Sequence, residues 1–169
     1  MPVSQEEPAG SFFVGESASE EATWVAHCDG GAWPNPGVMA MGAVLTSPTG
    51  EVHRLSQRLS GHGCNNEAEW RATLAVLDHA LQHGAQALRL HTDSTQVRDH
   101  LGQQGASALP PALQTWVDEA RSLAGGLSHF SVQWVPRHRN AQADALARQA
   151  LGLPPKAVRT PHPRTRKKR

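Results

Sequence analysis

Apolar and polar positions change rhythm several times along this chain, and each change marks an element. Residues 23–29 (TWVAHCD) form a short apolar-rich run that reads as a strand, and the Gly/Pro-rich stretch from Asp29 to Gly37 reads as a loop. Residues 38–47 and 51–59 are two more strand-like runs, separated by Pro48-Thr49-Gly50 with the spacing of an antiparallel hairpin. From Asn66 to His83 the period becomes helical: Trp70, Leu74, Leu77 and Leu81 share one face, and Gly84 is a stop signal. Residues 87–93 alternate Leu88 and Leu90 with Arg89 and His91, which predicts a strand. A short helix is expected over 94–101. A longer one over 110–124 has Pro110 at its start and Gly125-Gly126 at its end. Residues 128–135 complete the strands and 141–151 the helices. The order β-β-β-α-β-α-α-β-α, a hairpin followed by β/α alternation, predicts an α/β fold with helices packed on a mixed sheet.

The length of 169 residues suits one domain. A net charge of +1 looks neutral, but it averages three unlike segments. Residues 1–22 carry five acids (Glu6, Glu7, Glu16, Glu20, Glu21) and no Lys or Arg, and are expected to be mostly disordered around an apolar island at Phe12-Phe13-Val14. Residues 154–169 carry seven bases and four prolines, a composition that prevents regular structure and predicts a solvated basic tail. The body, residues 23–153, holds nine Arg against ten carboxylates. No run approaches the ~18 apolar residues of a membrane span, and the acidic N-terminus is unlike a secretory signal, so a soluble, cytoplasmic monomer without membrane contact is expected. Cys28 and Cys64 are read as reduced thiols. With no CxxC and ten scattered histidines, a structural zinc site is not expected.

The informative acids stand where folding does not ask for one. Asp29 ends the first strand, where Asp-Gly is also a turn signal. Asp93 ends the fourth strand, where an Asp often caps the following helix. Glu69 lies in the first turn of the long helix, within Asn66-Glu67-Ala68-Glu69, which has the spacing of a capping box, yet it adjoins Trp70 on the packed side. Asp144 falls at the border of the apolar face formed by Ala143, Leu146, Ala147, Ala150 and Leu151, where a carboxylate is partly desolvated. Each has a local explanation. Jointly, two at strand ends and two near helix starts lie where loops bring them together, and four such carboxylates repel unless divalent cations intervene. Oxygen-only ligation points to Mg²⁺ or Mn²⁺, and such clusters suit in-line phosphoryl chemistry with two ions. The residues alone therefore lead to a metal-dependent phosphodiesterase.

Four motifs narrow this further: Asp29-Gly-Gly-Ala-Trp-Pro-Asn-Pro-Gly37, Asn65-Asn66-Glu67-Ala68-Glu69, Thr92-Asp93-Ser94, and Trp134-Val-Pro-Arg-His-Arg-Asn-Ala-Gln-Ala-Asp144-Ala-Leu-Ala147. In this order and spacing they resemble the type 1 ribonucleases H, over about residues 24–151, with a short loop of five residues between His138 and Asp144 that is similar to the shorter-loop branch. The resemblance implies the ribonuclease H-like fold, with three antiparallel strands and two parallel ones flanked by helices. It implies that Asp29, Glu69, Asp93 and Asp144 hold two Mg²⁺ ions, with Mn²⁺ as substitute. The implied reaction is endonucleolytic hydrolysis of the RNA strand of an RNA–DNA hybrid, leaving 5′-phosphate and 3′-hydroxyl ends. Gly30, Asn35, Asn65 and Asn66 match positions that contact the hybrid, and turn or cap chemistry explains them as well. His138 matches a loop histidine that assists proton transfer or product release, which implies a catalytic role for it, with a solvated loop histidine as the alternative. Thr95 stands where some members carry a substrate-contacting Gln. The basic protrusion of some members is missing, since residues 102–120 contain no Lys or Arg. A catalytically inactive nucleic-acid-binding module or a metal-dependent exonuclease on the same fold are the alternatives. The first has no use for four repelling acids, and the second needs an end-binding pocket.

With a near-neutral body, the basic tail is the obvious handle for a polyanion, alongside a solubilising or localising role. Deleting residues 154–169 is expected to weaken hybrid binding at physiological salt and flatten its salt dependence, with turnover at saturating substrate little changed. Titrations at two or more salt concentrations check this.

Overall fold

The computed structural model describes residues 22–102 and 108–157. The expectations for the acidic segment 1–21 and for tail residues 158–169 lie outside the described residues. The elements are β1 (Thr23–Trp33), β2 (Gly37–Thr46), β3 (Val52–Gly63), α1 (Asn65–Gln82), β4 (Ala87–Thr92), α2 (Thr95–Leu101), α3 (Gln114–Ala124), β5 (His129–Trp134) and α4 (Ala141–Ala150), with 3₁₀ turns at Pro111–Leu113 and Arg137–Arg139. The five strands lie in the order β3-β2-β1-β4-β5. β1 pairs antiparallel with β2, and β2 with β3; β4 runs parallel to both β1 and β5. Parallel neighbours need long crossovers, supplied by α1 between β3 and β4 and by α2 and α3 between β4 and β5. Among the described residues, no helix is long and apolar enough to cross a membrane.

Alternation decides which face each strand buries. Trp24, Ala26 and Cys28 of β1, with Met41, Ala43 and Leu45 of β2, form the main core with Trp70, Leu74, Val76 and Leu77 of α1. That helical face is the one its sequence period predicts. On the other side α4 packs across β1, β2 and β3.

The loop expected from Asp29 to Gly37 is corrected. β1 continues through Gly30, Gly31 and Ala32 to Trp33, paired with Met41, Ala40, Met39 and Val38, and only Pro34–Pro36 turn the chain. Glycine ordinarily weakens a strand, but here backbone approach demands it. A Cβ on Gly30 would overlap the backbone of Ala68 and Glu69 in α1. Across the ladder Gly42, the partner of Asp29, faces the opposite side of the sheet, where a Cβ would overlap the Ala143 carbonyl and the Ala147 nitrogen of α4. Two helices thus press directly on neighbouring strands from opposite faces. β3 likewise runs beyond its expected end to Gly63, with a register shift opposite Val38/Met39 and Gly61 at a positive φ of 78°.

Gly30→Ala is expected to destabilise the chain by about 1–3 kcal/mol, the range of overpacking changes, because the neighbouring atoms are backbone. Thermal unfolding of this variant beside Gly31→Ala, where a Cβ meets nothing within 4 Å, isolates the effect.

Candidate active site

The β1–β4 ladder ends at Cys28 and Thr92, while β1 and β2 stay paired to Trp33. Asp29 is therefore the first β1 residue beyond the split, in the middle of its strand and not at its end as the sequence suggested. Asp93 follows the last residue of β4. Glu69, on the fifth residue of α1, is brought in by the close approach at Gly30, and Asp144, on the fourth residue of α4, by the approach at Gly42. One carboxylate oxygen each from Asp29, Glu69 and Asp93 lies within 4.8 Å of the other two. Asp144 lines the same cleft, close enough for its charge to act on Asp29. All four predicted acids therefore meet.

The local roles weighed for these acids are taken by other residues. Ser94 caps α2, its hydroxyl accepting from Val97 N at 3.3 Å, so Asp93 is not the cap. The capping box at Asn66 does not form: α1 begins at Asn65 behind Cys64, with no side-chain cap. Asn65 instead ties the helix start to the first hairpin, its Oδ1 accepting from Ala32 N at 2.8 Å while its own N donates to Asn35 Oδ1 at 3.1 Å.

Burial and mutual repulsion both favour the protonated acids. Asp29 is pushed up to about 8, by burial first and then by Asp93, Asp144 and Glu69. Glu69 is pushed up to about 7, mainly by burial, with a hydrogen bond from Ser94 and the charge of Arg137 opposing the rise. Asp93 is raised by burial, against which Arg137 and an Asn140 hydrogen bond act. Lys156 Nζ sits 3.0 Å from Asp144 Oδ1. It is delivered by Arg148, whose Nε and Nη2 clamp the Pro154 carbonyl at 2.9 and 2.8 Å.

The cleft around these acids holds about 310 Å³ and includes Gly30, Trp33, Asn65, Asn66, Arg137 and Lys156. Asn35 stands one step back, behind Asn65. His138 is not brought in. It is exposed and borders a different cleft with His27, Val44 and Thr46, while its neighbour Arg137 faces the acids. Sequence reasoning passed over four contributors: Asn140, Ser94, Arg137 and Lys156. Asn140 is fully buried and donates from Nδ2 to the Cys28 carbonyl at 2.8 Å, next to Asp29. Its signal was an Asn directly before a helix, where a cap is the usual reading.

The donor set is one of hard oxygens crowded and partly desolvated, which is what a small divalent cation reverses. Burial pushes the Cys28 thiol up, so it remains protonated and offers no soft ligand. The residues therefore fit a hard divalent ion.

Residues 27–150 match the family described as reverse transcriptase-like. The RNase H1 of the halophilic archaeon Halobacterium salinarum superposes with a TM-score of 0.71 at 34% identity, over 77% of this chain and 98% of that one. The chain belongs to the type 1 ribonuclease H family. A second ribonuclease H of the family, LC11-RNase H1 in complex with an RNA/DNA hybrid, superposes with a TM-score of 0.66 at 26% identity, over 76% of this chain and 96% of that one. A bifunctional protein of Mycobacterium tuberculosis is 35% identical over 128 residues, 75% of this chain. The present ribonuclease H-like chain spans only about 35% of that relative's length.

Because folding raises the pKa of Asp29 and Glu69, the folded chain holds protons that the unfolded chain has released between about pH 4 and 8, and stability falls as pH rises through that window. In chelator, the Tm is expected to decline from about pH 5 to about pH 8, and Asp29→Asn is expected to flatten the decline. Thermal scans across pH, with and without Mg²⁺, measure both.

Proposed function

We propose that this chain is an endonuclease that hydrolyses the RNA strand of RNA–DNA hybrids, leaving 5′-phosphate and 3′-hydroxyl ends. The observation that carries the reading is the convergence of Asp29, Glu69 and Asp93 within 4.8 Å, with Asp144 lining the same cleft, where the sheet splits. The hybrid in the LC11-RNase H1 complex supports the choice of substrate.

In this reading Asp29, Glu69, Asp93 and Asp144 hold two Mg²⁺ ions, or Mn²⁺ in their place. Bound there, the ions supply Lewis-acid activation of water and stabilisation of charge on the leaving oxygen. Asp29 and Glu69, whose pKa values folding raises, must release their protons to hold a cation, so loading strengthens as pH rises towards 8. Asn140 fixes the Cys28 carbonyl and so the backbone that carries Asp29. Asn65 has its Oδ1 occupied by Ala32 N and Asn35 has its Oδ1 occupied by Asn65 N, which leaves both amide nitrogens to donate. With Asn66 and the Gly30 backbone they would read the RNA 2′-hydroxyls in the shallow minor groove. Trp33, 62% exposed at the cleft rim, offers a ring face for stacking. Arg137 and Lys156 would meet phosphates, and residues beyond Lys156 would extend that contact along the backbone.

The reading is of a cytoplasmic monomer, and the unbridged Cys28 and Cys64 support a reducing compartment. His138 is given no proton-transfer role, because it borders another cleft.

Incubation with a uniformly labelled RNA–DNA hybrid and Mg²⁺ tests this. Internal cuts in the RNA strand are expected, with rates reduced by about 10²–10³-fold or more in Asp29→Asn and Asp93→Asn, the scale of losing a group that stabilises transition-state charge. His138→Ala is expected to fall by less than about tenfold. Cleavage that survives both Asp variants would remove the site assignment, and RNA degraded only from its ends would favour an exonuclease.

A further inference from the structure

The histidines that look scattered in the sequence are not all scattered in the fold. His79, in the last turn of α1, and His83, the residue just past its end, meet His53 at the start of β3, and one ring nitrogen from each lies within 4.8 Å of the other two. We propose that His53, His79 and His83 form a second metal site, selective for a divalent transition ion of the Zn²⁺, Co²⁺ or Ni²⁺ class.

The site lies at the far end of α1 from the acids, since ten residues separate Glu69 from His79, about 15 Å along a helix axis. Its donors are imidazoles, which suit borderline ions and discriminate against the Mg²⁺ that carboxylates prefer. Spacing fits as well: two nitrogens held about 2.0–2.1 Å from a tetrahedral Zn²⁺ stand roughly 3.3 Å apart. His53 Nδ1 and His79 Nε2 are 2.8 Å apart, sharing a hydrogen bond, and an ion between them requires an opening of only about half an ångström.

The outward-facing nitrogens are arranged as metal-bound histidines usually are. His83 Nδ1 donates to the His79 carbonyl at 2.8 Å, which selects the tautomer whose Nε2 carries the lone pair. His53 Nε2 lies 3.2 Å from a Glu51 carboxylate oxygen, yet it is buried and lacks a well-aligned hydrogen bond among the described residues. Ligation through Nδ1 would place a proton on Nε2 and give Glu51 a donor to hold. Trp24 packs edge-on against His53 at 5.4 Å and tilted against His83 at 6.2 Å, an apolar wall behind the cluster. His83 is exposed, which leaves an entry path from solvent.

Calorimetric titration of the full chain with Zn²⁺, in saturating Mg²⁺ to occupy the carboxylates, tests the site. One Zn²⁺ is expected to bind wild type and Asp29→Asn alike and to raise the Tm of both. Affinity is expected to fall by at least about tenfold in His79→Gln and in His83→Gln, and by about tenfold in Glu51→Gln. His83→Gln, exposed and remote from the acids, reports folding through unchanged hybrid cleavage in Mg²⁺. Absence of Zn²⁺ binding by wild type, binding retained in both His variants, or binding lost in Asp29→Asn alone would overturn the proposal.

Discussion

Direct contact of two helices with the backbone of two adjacent strands is the constraint on which this architecture depends. Asp29 and Gly42 face each other across the β1–β2 ladder, and Gly30 follows Asp29 on the other face. Side chains on a strand alternate, so the two glycines open gaps on opposite sides of the sheet at nearly the same point. The N-terminal turns of α1 enter one gap and α4 enters the other. Glu69 and Asp144, on helices with no contact of their own in sequence, are thereby levelled with Asp29. A methyl group at either glycine would force a helix, and the carboxylate it carries, away from the strand.

Bringing acids together in this way opposes folding, and the surroundings show how the cost is contained. Desolvation is the largest influence on Asp29, Glu69 and Asp93 alike, larger than any single neighbouring charge. Partial relief comes from groups that each touch one acid: Ser94 on Glu69, Asn140 on Asp93, Lys156 on Asp144. Arg137 acts on both Glu69 and Asp93 from the 3₁₀ turn that precedes α4. None of these removes the excess negative charge, which is why the site has a use for cations stronger than a side chain.

The parts of the fold visible in the sequence are those governed by local pattern. Apolar residues at helical spacing marked α1 to within a residue or two, and the alternation of Leu88 and Leu90 with Arg89 and His91 marked β4. The first strand was cut short because Gly30 and Gly31 signal a turn in isolation; what keeps them in the ladder is a helix that arrives 38 residues later. The four acids were legible because their residue types are costly where they stand, and the resemblance to ribonucleases H assigned them jointly. Asn140 and Lys156 were not, because an Asn before a helix and a Lys in a basic tail have ordinary readings. The His53–His79–His83 cluster combines a visible spacing, His79 to His83, with a contact from a neighbouring strand that no local pattern encodes. The expectation of scattered histidines failed there.

Charge, too, has to be read in three dimensions. The net +1 averages an acidic head, a basic tail and a body of slightly acidic balance, but the tail and the body are not independent. Gly152, at a positive φ of 70°, turns the chain out of α4, and the Arg148 clamp on Pro154 then leads Lys156 back over Asp144. The first cation of the tail is thus held against one of the acids by backbone geometry. A cation on a side chain about 59% exposed is weakly held in water, so a divalent ion or a phosphate can displace it without disturbing the core. Lys156 therefore tempers the repulsion at Asp144 without being fixed there.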